Sequence, residues 1–205
     1  MTRILDALRA NADRIGGHLR VTVMPRVRVS VWAPSHRDDW NSAMQAALGQ
    51  VYPGVTGYTP RNDEMRLLLN PASPLESVHE YAHLVSWQAN PTIPNNPRWL
   101  WEAVAVYEAG SAPDVRTWSD AELTFPGLPA LNQYDSPLPY RWGFHVAQAV
   151  ITRWGDDGYL ALLRTNGDLW GALGITEGAF GAYVEEFVRG EAGRRQLGYP
   201  VPVRG

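Results

Sequence analysis

The chain has 205 residues, 45% of them hydrophobic and 19% charged, so it is long enough to bury a sizeable core and too apolar to remain disordered. A net charge of −3 with a pI near 5.9 gives no basic footprint for nucleic acid or an anionic membrane surface. The absence of cysteine removes disulfides and thiolate metal ligands together. No apolar run approaches the roughly 20 residues of a membrane span. Met1 to Arg20 lacks an apolar central segment, so no signal peptide is expected and a cytoplasmic location is the default.

In chain order, residues 3–16 read as a helix, with Ile4, Leu5, Leu8, Ala12 and Ile15 on one face and Gly16-Gly17 ending it. Between 19 and 31, Leu19, Val21, Val23, Val27, Val29 and Val31 alternate with polar residues, among them Arg20, Arg26 and Arg28. That period of two predicts a half-buried strand or strand pair, with Pro25 at a break or an edge and the arginines on a solvated face. Ser35 reads as the N-cap of a helix from about His36 to Leu48, whose first turn holds Asp38 and Asp39 where the helix dipole favours acids. Tyr52 to Gly57 reads as a turn. Glu64 to Asn70 reads as a short strand closed by Pro71, with two placements open. It is either an exposed sheet edge, which an extended peptide can join, or an interior strand.

Ser73-Pro74-Leu75-Glu76 combines a serine N-cap, a proline at the first helical position and a glutamate placed for a capping box. The helix it opens is expected to run to about Gln88, before Asn90-Pro91, and capping accounts for Glu76 without a metal. Within it lies His79-Glu80-Tyr81-Ala82-His83, which takes two of the chain's five histidines. Imidazoles at i and i+4 project about 40° apart around the helix axis, so both reach one metal ion. Glu80 lies about 100° round from His79, placed to touch a water on that ion without being a ligand. After a stiff loop at 90–97, Asn96-Pro97 starts a second helix that ends at Gly110. It carries Glu102, an acid in an otherwise apolar segment; a buried carboxylate needs a partner, and a metal is the best one available.

Residues 111–138 read as an irregular connector with one short helix at Ser119-Asp120-Ala121-Glu122, where a second capping box is expected. Its Phe125, Leu128, Leu131 and Tyr134 either cover a cleft or simply pack. A third long helix is expected from about Pro139 to Trp154, ended by Gly155, and further helices at about 157–164 and 176–189. Thr176 caps the last of these, and Phe180, Tyr183, Val184 and Phe187 supply its apolar face. Residues 191–205 read as a tail or strap.

Eighteen residues separate His83 from Glu102, and the two motifs together resemble the gluzincin metallopeptidases, zinc hydrolases with His-Glu-x-x-His followed by a glutamate ligand. Trp99-Leu100-Trp101-Glu102-Ala103-Val104-Ala105-Val106-Tyr107 is similar to the Trp-Leu-x-Glu-Gly-Phe-Ala-x-Tyr segment of their aminopeptidase branch, with Ala103 in place of the usual glycine and Val104 in place of phenylalanine. The resemblance spans roughly residues 20–190, with about 30 positions carrying motif information. It implies an α+β, zincin-like, peptidase MA-like domain over 1–190. A small mixed sheet and the active-site helix form an N-terminal lobe (about 1–90), and a helical C-terminal lobe follows (about 91–190). It further implies Zn2+ held by His79, His83 and Glu102, with an open fourth position. A zinc-activated water then attacks a peptide carbonyl with Glu80 as general base. Tyr140, which matches the family's Tyr-x-x-Gly segment on the next helix, stabilises the oxyanion; His145 is the runner-up as a polar cleft residue, five positions on and therefore on a different helix face. The substrate is a peptide or protein. No Gly-x-Met-x-Asn strand of the aminopeptidase branch precedes His79, since Asn62-Asp63-Glu64-Met65 does not fit, and an endopeptidase is therefore expected rather than an aminopeptidase. The competing expectation is a non-catalytic or latent gluzincin-fold protein that serves as a binding module for a protein partner.

Overall fold

Apolar residues at helical spacing form the first element, α1 (Thr2–His18), with Ile4 and Ile15 buried. The computed structural model describes residues 2–196 and divides the chain into two compact units, Met1–Pro94 and Asn95–Gly205. The class is mixed α+β, with β1 (Arg28–Trp32), α2 (Arg37–Leu48), β2 (Gly57–Arg61), β3 (Glu64–Leu68) and α3 (Ser73–Ala89) completing the first unit. The second holds α4 (Arg98–Glu108), α5 (Leu128–Leu131), α6 (Leu138–Arg164), α7 (Leu169–Leu173) and α8 (Glu177–Gln196). No helix among the described residues is long and apolar enough to cross a membrane.

The alternation between 19 and 31 yields a strand only at Arg28–Trp32. The reason lies at the end of α1. Arg20 adopts φ 53, and the Val21 and Arg20 N–H groups donate to the Gly16 and Gly17 carbonyls at 2.9 and 3.2 Å. Those bonds are the reciprocal pair of a Schellman cap, which takes the backbone of the first valine away from any sheet. Val23 is left 69% exposed, so the alternation there buries nothing.

The three strands are ordered β1-β3-β2, with β1 parallel and β2 antiparallel to β3. The segment at 64–70 is therefore the interior strand, and its placement as a sheet edge is excluded. Among the described residues the two edge strands are β1 and β2, and at β2 the sequence suggested no strand. Pro60 obscured it, since a proline donates no ladder bond and is tolerated only at an edge or a bulge; the β2–β3 register shifts between Tyr58 and Arg61. Opposite faces of the sheet carry different partners. Tyr58 and Leu68 join Trp40 and Met44 of α2 in one core cluster, and α3 packs against β2 and β3, with α1 against α3. Ser35 does not cap α2. A 3-10 turn at Pro34–His36 intervenes, and the N-cap residue is His36, with no side-chain bond to the helix.

Glu64 is buried, and its carboxylate accepts from Arg66 Nε at 2.8 Å and pairs with Arg61 Nη2 at 3.0 Å. Arg66 also donates to the Tyr58 hydroxyl and the Ala43 carbonyl, both at 3.0 Å, which ties β3 to β2 and α2. The Arg66 hydrogen bond holds the Glu64 carboxyl below its ordinary value of 4.5. A depressed folded pKa means that the stabilisation is complete above the unfolded value and is lost as pH falls through the folded one. The urea midpoint of the wild type should therefore fall more steeply below pH 4.5 than that of Glu64→Gln; parallel curves would show that the pair contributes nothing.

In the second unit α4 and α6 make the principal contact, and Gly143 explains its closeness. A Cβ there would lie 2.9 Å from Ala103 Cα and 2.8 Å from Val106 Cγ2, so only glycine lets the two helices approach this far. The N-terminus of α4 is capped from the connector, the Trp99 N–H donating to Asn132 Oδ1 at 3.0 Å. Pro97 is the residue before α4 rather than its first, with φ −83 and ψ 155. The Ser119–Glu122 capping bonds do form, with Glu122 Oε2 accepting from the Ser119 N–H at 2.7 Å and from its hydroxyl at 2.8 Å, but they close a turn and no helix follows. Those bonds, with Arg141, hold the Glu122 carboxyl down to about 2. Phe125 packs on Trp142 and Phe180, and Leu128 and Leu131 are buried, so this part of the connector is packing.

Gly155 breaks α6 with φ 68 and ψ −174, where the sequence placed a helix end. The helix α7 was not anticipated; it is short, capped by Asp168 and closed by Gly174 at φ 65. Thr176 caps α8 as expected, its hydroxyl accepting from the Ala179 N–H at 3.4 Å. The buried face of α8 continues past Phe180 and Val184 to Val188 and Ala192, so 191–196 are helical rather than tail. The rest of the expected tail, 197–205, lies outside the described residues.

Candidate metal centre

The first unit presents His79, Glu80 and His83 on α3, and the start of that helix is set differently from the expected capping box. Ser73 is already within α3, after Ala72 as N-cap, and its hydroxyl accepts from the Asn70 N–H at 2.9 Å. Asn70 Oδ1 in turn accepts from the Ala72 N–H at 2.6 Å. The Glu76 carboxylate is drawn away from the helix end to the Thr56 hydroxyl at 2.6 Å and the Asn70 amide at 2.9 Å. Glu76 is thus engaged structurally, by different donors from those the sequence implied.

One to two turns further on, the rings of His79 and His83 stand edge to face with centroids 4.7 Å apart, the outcome expected for i and i+4 on one face. His83 is buried and His79 half-buried. Glu80 is 6% exposed, and its Oε2 accepts from the Thr59 hydroxyl at 2.8 Å. Thr59 belongs to β2, and its role was not legible because the strand itself was not.

The second unit presents Glu102 on α4 and Tyr140 on α6. The Tyr140 hydroxyl donates to Glu102 Oε1 at 3.1 Å. Its place follows from the close approach at Gly143, one turn further along α6, so the Tyr-x-x-Gly spacing acts as a helix-packing device that carries the tyrosine to the glutamate. Arg98 meets the same oxygen. Its Nη1 lies 3.7 Å from Glu102 Oε1, its Nη2 donates to the Tyr140 hydroxyl at 3.4 Å, and its guanidinium carbon is 5.4 Å from both the Tyr134 and Tyr140 ring centres. Arg98 is buried beside its carboxylate. The sequence carries one signal for it, the i, i+4 spacing to Glu102.

His145 is not a polar residue of this constellation. It is fully buried, its Nδ1 lies 3.2 Å from Glu191 Oε2, and its ring packs edge to face on Trp118 and Phe144. Five positions beyond Tyr140, the helix turns it to another face, where it ties α6 to α8.

Comparison of the chain with protein-family models, with curated proteins and with solved structures finds no match.

Proposed function

We propose that the chain is a zinc-dependent metallopeptidase of gluzincin type with a zincin-like fold, hydrolysing peptide bonds as an endopeptidase. The observation that carries this reading is the His79–His83 pair on one face of α3, ring centroids 4.7 Å apart, with Glu102, buried on α4, as the third donor we assign to the same ion. Two imidazoles and one carboxylate are the donor set of an open zinc site, with a position left for water or substrate. When bound, zinc supplies Lewis acidity and brings the pKa of a coordinated water toward neutrality.

The protein's own groups have distinct parts in the reaction. Glu80 accepts a proton from the attacking water and delivers it to the leaving amine nitrogen. The Glu80 carboxylate is buried and held at Oε2 by the Thr59 hydroxyl, which suits it to that exchange. The Tyr140 hydroxyl, fixed near Glu102, serves as the donor to the tetrahedral oxyanion. Arg98 neutralises Glu102 within α4 and restrains its carboxylate. An extended peptide pairs with the terminal strand β2, where Pro60 withholds one donor and confines pairing to the rest of the strand.

The direct test loads the purified chain with zinc, removes excess metal and measures bound zinc alongside digestion of a peptide library. About one zinc per chain and chelator-sensitive cleavage are expected. A chain that binds no zinc would end this reading. Zinc binding without any cleavage would move it to a metal-stabilised binding module for a protein partner.

A further inference from the structure

The strand β2 is built around Glu80. Gly57 and Thr59 are two residues apart, so they face the same side of the sheet, while Tyr58 between them faces the Trp40–Met44 cluster. On the α3 side, a Cβ at Gly57 would come 2.9 Å from Glu80 Oε1 and 3.1 Å from its Cγ. The strand backbone therefore passes directly against this side chain, and a Cβ there would push the Glu80 carboxylate out of its present position. Two residues on, the Thr59 hydroxyl lies 2.8 Å from Glu80 Oε2 and 3.3 Å from the Glu80 carbonyl oxygen, the carboxylate being the nearer acceptor. The pattern repeats one helical turn earlier, where the Thr56 hydroxyl donates to Glu76 Oε1 at 2.6 Å. Glu76 and Glu80 stand at i and i+4 on α3, so two threonines of one extended segment hold two carboxylates stacked on one helix face.

We infer that Thr59 is a positioning residue for Glu80: its hydroxyl fixes Oε2 and Gly57 walls Oε1, so the carboxylate is set in one orientation before a substrate arrives. The Thr56–Glu76 bond fixes the same helix against the residue that leads into β2 and keeps that geometry from sliding. This inference rests on Glu80 being the base of the proposed reaction. Its physical content is orientation, since a misaligned general base loses rate without losing binding. Thr59 bonds to Glu80, which is not one of the proposed ligands, so its loss acts on the carboxylate and leaves metal affinity alone.

The test uses the full-length, zinc-loaded chain with a peptide taken from the library digest. Thr59→Val removes the donor while keeping the shape and suiting a strand, and Thr59→Ser keeps the donor. Thr59→Val should retain wild-type zinc affinity and KM and lose about 10- to 100-fold in kcat, with Thr59→Ser recovering most of the loss. A second readout needs no turnover. Acetohydroxamate, a zinc ligand that also donates a proton to a neighbouring base, should bind more weakly to Thr59→Val and to Glu80→Gln, with no further loss in the double variant. An unchanged kcat in Thr59→Val, a Thr59→Ser variant no better than Thr59→Val, or additive losses of hydroxamate affinity would each overturn the inference while the peptidase reading stands. A wild-type chain without zinc overturns the peptidase reading, and this inference with it.

Discussion

Glu80→Gln should keep zinc affinity within about two-fold of the wild type, because Glu80 is not among the proposed ligands, and should lower turnover by about 10²- to 10⁴-fold. The substitution suits the local structure. Glutamine is nearly isosteric, so it fits beside Gly57, and its amide oxygen still accepts from the Thr59 hydroxyl that now reaches Oε2. What it cannot do is take a proton from water and return it to an amine. Fold, metal and substrate binding should therefore persist while the chemical step fails. Zinc affinity by competition with a chromogenic chelator and initial rates on one peptide suffice to check this. A variant retaining more than about a tenth of wild-type turnover would remove Glu80 as the base.

The legible part of this molecule is the part whose signal is local. The histidine spacing on α3, the acid at Glu102 and the glycine at Gly155 each act within one helix, and the structure places them as read. Beyond one element the sequence loses its hold. It identified Tyr140 through a resemblance, but the cause of its position is Gly143 packing against Ala103 of another helix, a contact no periodicity reveals. It read Glu76 as a capping acid because Ser73 and Pro74 make a strong local pattern; Thr56 and Asn70, brought close by the sheet, compete for the carboxylate and win. The valines after Leu19 have a strand's period, yet a Schellman cap on α1 claims the first of them. The most consequential omission is β2. With a glycine at 57 and a proline at 60 it lacks a strand's composition, although these residues suit an edge strand that passes against the buried Glu80 carboxylate.

Glu102 is where metal binding and fold stability have to be separated. Glu102→Ala removes the proposed anionic ligand, and zinc affinity should drop by more than about 100-fold, beyond the usual effect of losing a supporting group. It also strands Arg98, which is buried 3.7 Å from that carboxylate, and leaving one partner of a buried pair alone costs about 3–5 kcal/mol. A poorly folded variant would lose zinc for either reason. Replacing both partners by apolar residues resolves this, because a buried ion pair exchanged for packed hydrophobics of similar volume is often neutral or stabilising. Arg98→Met combined with Glu102→Leu should thus recover the urea midpoint of the metal-free wild type while still failing to bind zinc, and Glu102→Ala alone should lose both. Recovery of stability without recovery of zinc affinity would assign the two roles separately: the Arg98 pair to the integrity of the helical unit and the carboxylate to the metal. If the double variant bound zinc as the wild type does, His79 and His83 would have to find their third ligand elsewhere and the gluzincin reading would be wrong.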